Sequence, residues 1–158
     1  MNKDQTYMQL ALTQAKEAFD KDEVPVGAVI VHKDKIIAKA YNNVELLCDP
    51  AAHAEIIAIT QAASFLQSKW LDDSTLYVTI EPCSMCAGAL ILSRISRVVY
   101  GAADPKTGGF GSKVDINNLG LNHRIEISGG TLENECAALL QEFFKKKRRA
   151  KRVFGDAI

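Results

Sequence analysis

TLYVTIEPCSMCAGALILSR, residues 75–94, is a strand that turns into a helix at a proline. Thr75, Tyr77, Val78, Thr79 and Ile80 are β-branched or aromatic, types that suit a pleated sheet. Pro82 cannot donate to a strand ladder but is well placed at a helix start, and good helix formers follow it. Just upstream, from Ala52, AHAEIIAITQAASFLQ has apolar residues all round and predicts a helix buried on most faces. Before that, GAVIV at 27–31 and KIIAKAY at 35–41 flank the polar His32-Lys33-Asp34, which predicts a hairpin. Asn42 to Pro50 is expected as loop. At the start of the chain, Met8, Leu12, Ala15, Ala18 and Phe19 recur at helical spacing within Asp4 to Asp20.

Downstream, RVVY at 97–100 is a short strand, and the glycine-dense ADPKTGGFGS at 103–112 is an irregular loop of the kind that often carries function. RIEIS at 124–128 is a further strand. After Gly129-Gly130, Cys136, Leu139, Leu140, Phe143 and Phe144 predict a long last helix, with Thr131 as its cap and the basic run KKKRRAKR (145–152) at its end. This order of elements implies a mixed sheet with helices packed on both faces. No internal repeat or low-complexity tract is evident.

The chain has 158 residues, 47% hydrophobic and 24% charged, and is expected to form one domain over 1–158. No apolar run reaches the ~18 residues of a spanning helix and no secretory leader is evident, so a cytoplasmic address without membrane association is expected. Reduced thiols are then the expectation for the four cysteines. Nineteen basic residues balance nineteen acidic ones, and the zero sum hides the cluster at the C-terminal end.

His53-Ala54-Glu55 and Pro82-Cys83-Ser84-Met85-Cys86 are the chemically loaded segments, each where the chain enters a helix. Cysteines at i and i+3 fall on one face of a first helical turn and can grip one ion. The helix N-terminus favours thiolates there. His53 would complete a three-ligand zinc site whose fourth position stays free for water. Glu55 is expected outside the ligand set, taking a proton from that water and returning protons to a substrate. A CxxC pair also suits structural zinc, a redox pair or an incidental helix start. A structural site would need a fourth ligand, for which Cys48, His123 and Cys136 are candidates.

H-x-E followed by P-C-x-x-C is the signature of zinc-dependent base deaminases. The chain resembles the bacterial tRNA-specific adenosine deaminases through EVPVGAVIV (23–31), Asn42, DPAAHAEIIAI (49–59), TLYVTIEPCSMCAGAL (75–90), YGAADPKTGGFGS (100–112) and EFFKKKRR (142–149). The resemblance implies a cytidine deaminase-like three-layer α/β/α sandwich with a mixed sheet of about five strands. It implies hydrolysis of the wobble adenosine of a tRNA anticodon stem-loop to inosine, one Zn2+ per subunit and a homodimer. By position it implies that Asn42 bonds the purine and that the Ala54 N–H meets the zinc-bound oxygen. It also implies that Pro25, Val26 and Gly27 wall the base, with Gly27 allowing backbone approach, and that Asp104, with Lys106 in the same loop, contacts the target nucleotide or its neighbour. Phe144, Lys145, Arg148 and Arg149 are candidates for the RNA surface. The rival readings are a cytidine, deoxycytidylate or guanine deaminase acting on free small molecules, and an RNA-binding module with structural zinc.

Overall fold

The computed structural model describes residues 1–154. Helix α1 (Lys3–Asp20) opens with a capping box: the Asn2 side chain accepts from the Gln5 N–H, and the Gln5 side chain accepts from the Asn2 N–H. Its buried residues Met8, Ala11, Leu12, Ala15 and Ala18 form a single stripe. Strands β1 (Gly27–His32) and β2 (Lys35–Tyr41) form the expected hairpin. Its turn is only Lys33-Asp34, both left-handed at φ 47° and 66°, the conformation whose twist matches paired strands.

The segment from Asn42 to Pro50 is not all loop. It contains a short helix, α2 (Val44–Leu47), whose first N–H groups are held by a carboxylate from far upstream: Glu23 accepts from Glu45 and Leu46 at 3.1 and 2.7 Å. Helix α3 (Ala54–Leu66) is buried on one face, at Ala54, Glu55, Ala58 and Ala62, rather than on most faces. Its run of apolar residues continues onto exposed surface at Phe65.

Strand β3 (Ser74–Ile80) leads into helix α4 (Ser84–Leu92), followed by β4 (Arg97–Ala102), a 3-10 turn at Ile116–Asn118, β5 (Glu126–Gly129) and α5 (Glu133–Phe154). Thr131 does not cap α5. Leu132, left-handed at φ 51°, stands between it and the first helical residue. Beyond Phe143, α5 is exposed through the basic run.

The five strands lie in the order β2-β1-β3-β4-β5. β1 is antiparallel to β2 and β3, whereas β4 is parallel to β3 and β5. Alternate residues separate the layers, as the period of two demands. Ala28, Ile30, Leu76, Val78 and Val98 pack on the side of α3 and α4, while Val29, Val31, Tyr77 and Val99 pack with α1 and α5. The result is a three-layer α/β/α sandwich. α1 is pinned to the sheet by Asp4, which accepts two hydrogen bonds from Arg97, both at 2.8 Å, and one from the Tyr77 hydroxyl at 2.9 Å. No helix among the described residues is long and apolar enough to cross a membrane.

Candidate metal centre and cavity

His53 and Cys83 occupy equivalent places, each the last extended residue before a helix. α3 and α4 lie on the same face of the sheet, so their first turns meet. Cys86, one turn into α4, completes the group and is fully buried. His53 Nδ1 lies 3.6 Å from Cys83 Sγ and 3.5 Å from Cys86 Sγ.

Those separations fit an ion. A tetrahedral cation at about 2.0–2.1 Å from nitrogen and about 2.3 Å from sulfur sets each N···S distance near 3.5–3.6 Å. The Cys86 thiol, the His53 ring and the Cys86 N–H all hydrogen-bond to the Cys83 sulfur and pull it down to about 4, against the opposing effect of burial. Cys86 is pushed up by its bond to Cys83, by burial and by the charge of Glu55. Two thiols competing for one proton in this way both ionise when a cation sits between them.

Among the described residues, no fourth His, Cys or carboxylate joins the group. Cys48 is exposed, His123 Nε2 is 2.7 Å from the Ile95 carbonyl oxygen, and Cys136 packs on the opposite face of the sheet. A closed structural site from those candidates is therefore not what the fold builds.

His53 and Cys83 lie on the wall of a cavity of about 780 Å³ that Glu55, Val26, Asn42, Asp104 and Lys106 also line. Glu55 is 3% exposed. Burial pushes its carboxyl above the ordinary carboxylate range, opposed by a backbone hydrogen bond and the charge of His53. Asn42 Oδ1 accepts from the Ala54 N–H at 2.8 Å. That bond fixes the amide's orientation and leaves its NH2 free of a hydrogen-bond partner among the described residues. It also occupies the Ala54 N–H expected to meet a bound oxygen.

The expected wall of Pro25, Val26 and Gly27 is only partly so. Val26 lines the cavity together with Val24, but Pro25 and Gly27 do not. The close backbone approach at Gly27 is made by α1: a Cβ there would lie 2.0 Å from Ala11 O and 2.4 Å from Ala15 N. Asp104 staples its own turn, with Oδ1 accepting from Lys106 and Thr107 N–H at 3.0 and 3.3 Å and Oδ2 from the Thr107 hydroxyl at 2.6 Å. Phe143 is buried, edge-on to Phe19 and Phe144. Phe144 lines the cavity mouth with Leu140 and Gln141, while Lys145, Arg148 and Arg149 are exposed beyond it.

Two buried carboxylates on the lining were not expected from the sequence. Glu23 and Glu81 are each 1% exposed; Glu23 binds N–H groups of α2 and Glu81 binds N–H groups of the loop after β4. Glu81 carries a visible signal as a lone carboxylate directly after TLYVTI, whereas Glu23, directly before VPVGAVIV, is masked by its acidic neighbours Asp20 and Asp22.

The model of the MafB19-like deaminases matches residues 1–148. A tRNA-specific adenosine deaminase of Aquifex aeolicus (strain VF5) is 51% identical over 143 residues, covering 90% of this chain and 94% of the relative. Among solved structures, one from a study of A-to-I editing by tRNA:A34 deaminases at the wobble position superposes with a TM-score of 0.82 at 42% identity, over 85% of this chain and 99% of that one. A guanine deaminase from Nitrosomonas europaea superposes at 0.74 with 27% identity, over 88% of this chain and 83% of that one.

Proposed function

Because the chain belongs to the MafB19-like deaminases, and within them to the bacterial tRNA-specific adenosine deaminases, we propose that it hydrolyses the wobble adenosine of a tRNA anticodon to inosine and ammonia. The observation that carries the chemistry is the buried Glu55 beside a three-ligand group with ion-holding separations.

His53, Cys83 and Cys86 would hold Zn2+, one ion per subunit. When bound, zinc supplies the Lewis acidity that makes a nucleophile of water at neutral pH. Glu55 takes the proton released and delivers it to N1 of the purine as C6 is attacked; it then takes the proton of the new C6 hydroxyl and passes it to the amine as the C6–N bond breaks and the C6 carbonyl forms. Burial suits it to the task, because pushing the carboxyl above its ordinary range makes its carboxylate a stronger base toward the proton it must take up.

Asn42, with its oxygen fixed by Ala54, offers its NH2 to an acceptor on the purine edge. Val24, Val26 and Ile80 give the base an apolar wall. Asp104 Oδ2 keeps a lone pair for a ribose hydroxyl, the group that separates RNA from DNA, and Lys106 stands beside it. Phe144 offers a ring to a neighbouring base, and Lys145, Arg148 and Arg149 offer charge to phosphates. The working unit is a homodimer. An anticodon loop suits such a cavity because its bases can be splayed out without opening a duplex.

The test is incubation with an anticodon stem-loop carrying adenosine at the wobble position, in parallel with free adenosine, cytidine, deoxycytidylate and guanine. Inosine in the stem-loop alone is expected. Turnover restricted to a free base or nucleotide would overturn the substrate assignment, and stem-loop binding without deamination would favour the RNA-binding module.

A further inference from the structure

Glu81 is a buried carboxylate on which a whole loop converges. Its Oε1 accepts from the Asp104 N–H at 3.2 Å and from the Ser112 hydroxyl at short range, and its Oε2 accepts from the Phe110 and Ser112 N–H groups at 3.1 and 3.2 Å. The two ends of the segment 104–112 are thereby tied to one side chain. In between, Gly108 passes so close that a Cβ would lie 2.4 Å from Glu81 Oε2. The Gly109 N–H donates to the Pro82 carbonyl at 2.7 Å, and a Cβ on Gly109 would lie 2.9 Å from the Cys83 carbonyl oxygen. The loop is thus seated on the turn that presents a metal ligand, and its first residues, Asp104 to Thr107, line the cavity.

A carboxylate is costly to bury unless its oxygens are filled by donors, and here all four donors come from this loop. Apart from Phe110, the segment has no large apolar side chain to anchor it. We propose that Glu81 is a positioning residue that sets substrate affinity, holding residues 104–107 in the shape that receives the target nucleotide. The inference rests on the deaminase reading above for the identity of that substrate. Glu81 touches neither the proton path through Glu55 nor the ligand atoms, so its contribution falls on binding rather than on the chemical step.

Glu81→Gln isolates this role. With its carbonyl oxygen at the Oε2 position, glutamine keeps the bonds from the Phe110 and Ser112 N–H groups, while its NH2 at the Oε1 position can donate to the Ser112 hydroxyl oxygen but confronts the Asp104 N–H with a second donor. Only the cavity end of the loop is released. Two readouts apply to the zinc-loaded full chain. Amide hydrogen exchange at 104–107 should quicken without substrate present, and the KM for the stem-loop should rise about tenfold, the size of one missing charge-assisted hydrogen bond. kcat and bound zinc should stay at wild-type values, the pattern for removal of binding that is shared by ground and transition states. Ser112→Ala, which spares the Asp104 bond, should move KM by less than about threefold.

Unchanged exchange at 104–107 in Glu81→Gln would overturn the proposal, and so would a loss confined to kcat or to zinc content. A wild-type chain inactive on the stem-loop would instead refute the substrate reading, and the exchange measurement would still decide whether Glu81 holds the loop.

Discussion

Gly27→Ala separates two accounts of one glycine. If Gly27 exists to let backbone approach a base, a methyl group there raises KM and spares stability. The geometry favours the reverse, because the methyl would enter α1, 2.0 Å from Ala11 O and 2.4 Å from Ala15 N. Comfortable non-bonded separation lies near 3.5 Å, so α1 must retreat by roughly 1 Å or more. A gap of that size forfeits about a quarter to a half of each atom pair's attraction, along a stripe that includes Met8, Ala11, Leu12 and Ala15. Overpacking of a tight core typically costs about 1–3 kcal/mol, and with backbone on the receiving side the upper end applies. Gly27 is not left-handed, so alanine recovers about 0.4–1 kcal/mol through the unfolded chain. The net destabilisation is about 2–3 kcal/mol, which for a domain of this size lowers Tm by roughly 5–10 °C. Thermal unfolding followed by circular dichroism measures it, with stem-loop kinetics taken well below the transition. An unchanged Tm with a raised KM would refute the helix-packing account.

The proton carrier, the sheet anchor and the basic helix each give a further test. Glu55→Gln should lower kcat by about 10²–10⁴, the usual worth of a positioned acid-base group, with zinc per chain unchanged by elemental analysis; retained turnover would remove Glu55 from the proton path. Asp4 is held below the ordinary carboxylate range, first by its hydrogen bonds from Arg97. A depressed folded pKa contributes stability that is present above the unfolded value of about 3.9 and vanishes as pH falls through the folded one. Asp4→Asn should therefore unfold more readily than wild type in urea at pH 7, and the two curves should converge as pH drops below about 4; a gap that persists in acid would contradict the pairing. Replacing Lys145, Arg148 and Arg149 with alanine should weaken stem-loop binding across sequences and reduce the slope of log K against log salt by about one for each phosphate that is no longer neutralised, as titrations at several salt concentrations would show.

Patterns confined to one element could be read from the chain alone. The hairpin showed in its β-branched runs, α1 in its stripe, and the metal group in residues placed at two helix starts. What escaped depends on partners far apart in sequence. α2 has only four residues, too few for a period, and its N–H groups are held by Glu23, 22 and 23 residues upstream of the donors. α3 reads as buried all round because its apolar residues cover every face, yet full burial is confined to the face bearing Ala54, Ala58 and Ala62, with Ile57 and Ile59 half-buried against the core and Phe65 exposed. Gly27 looks like a substrate-facing glycine until α1 is laid across it. Asn42 and Ala54 were each expected to face ligand, whereas their mutual bond, across 12 residues, occupies the oxygen of one and the N–H of the other.

The parallel pairing of β3 and β4, with Ile80 opposite Ala102, brings two chain segments side by side where the strands end. One continues into Cys83 and Cys86, the other into residues 103–112. On the proposed reading, two of the metal ligands and the loop that receives the substrate come from separate stretches of sequence that share a boundary at Gly108 and Gly109. A lineage can rewrite the second stretch in composition without disturbing the first, provided small residues remain at that seam and the donors that satisfy Glu81 stay in place. The architecture is modular in the evolutionary sense: one hydrolytic apparatus can be passed on intact while the compounds admitted to it change.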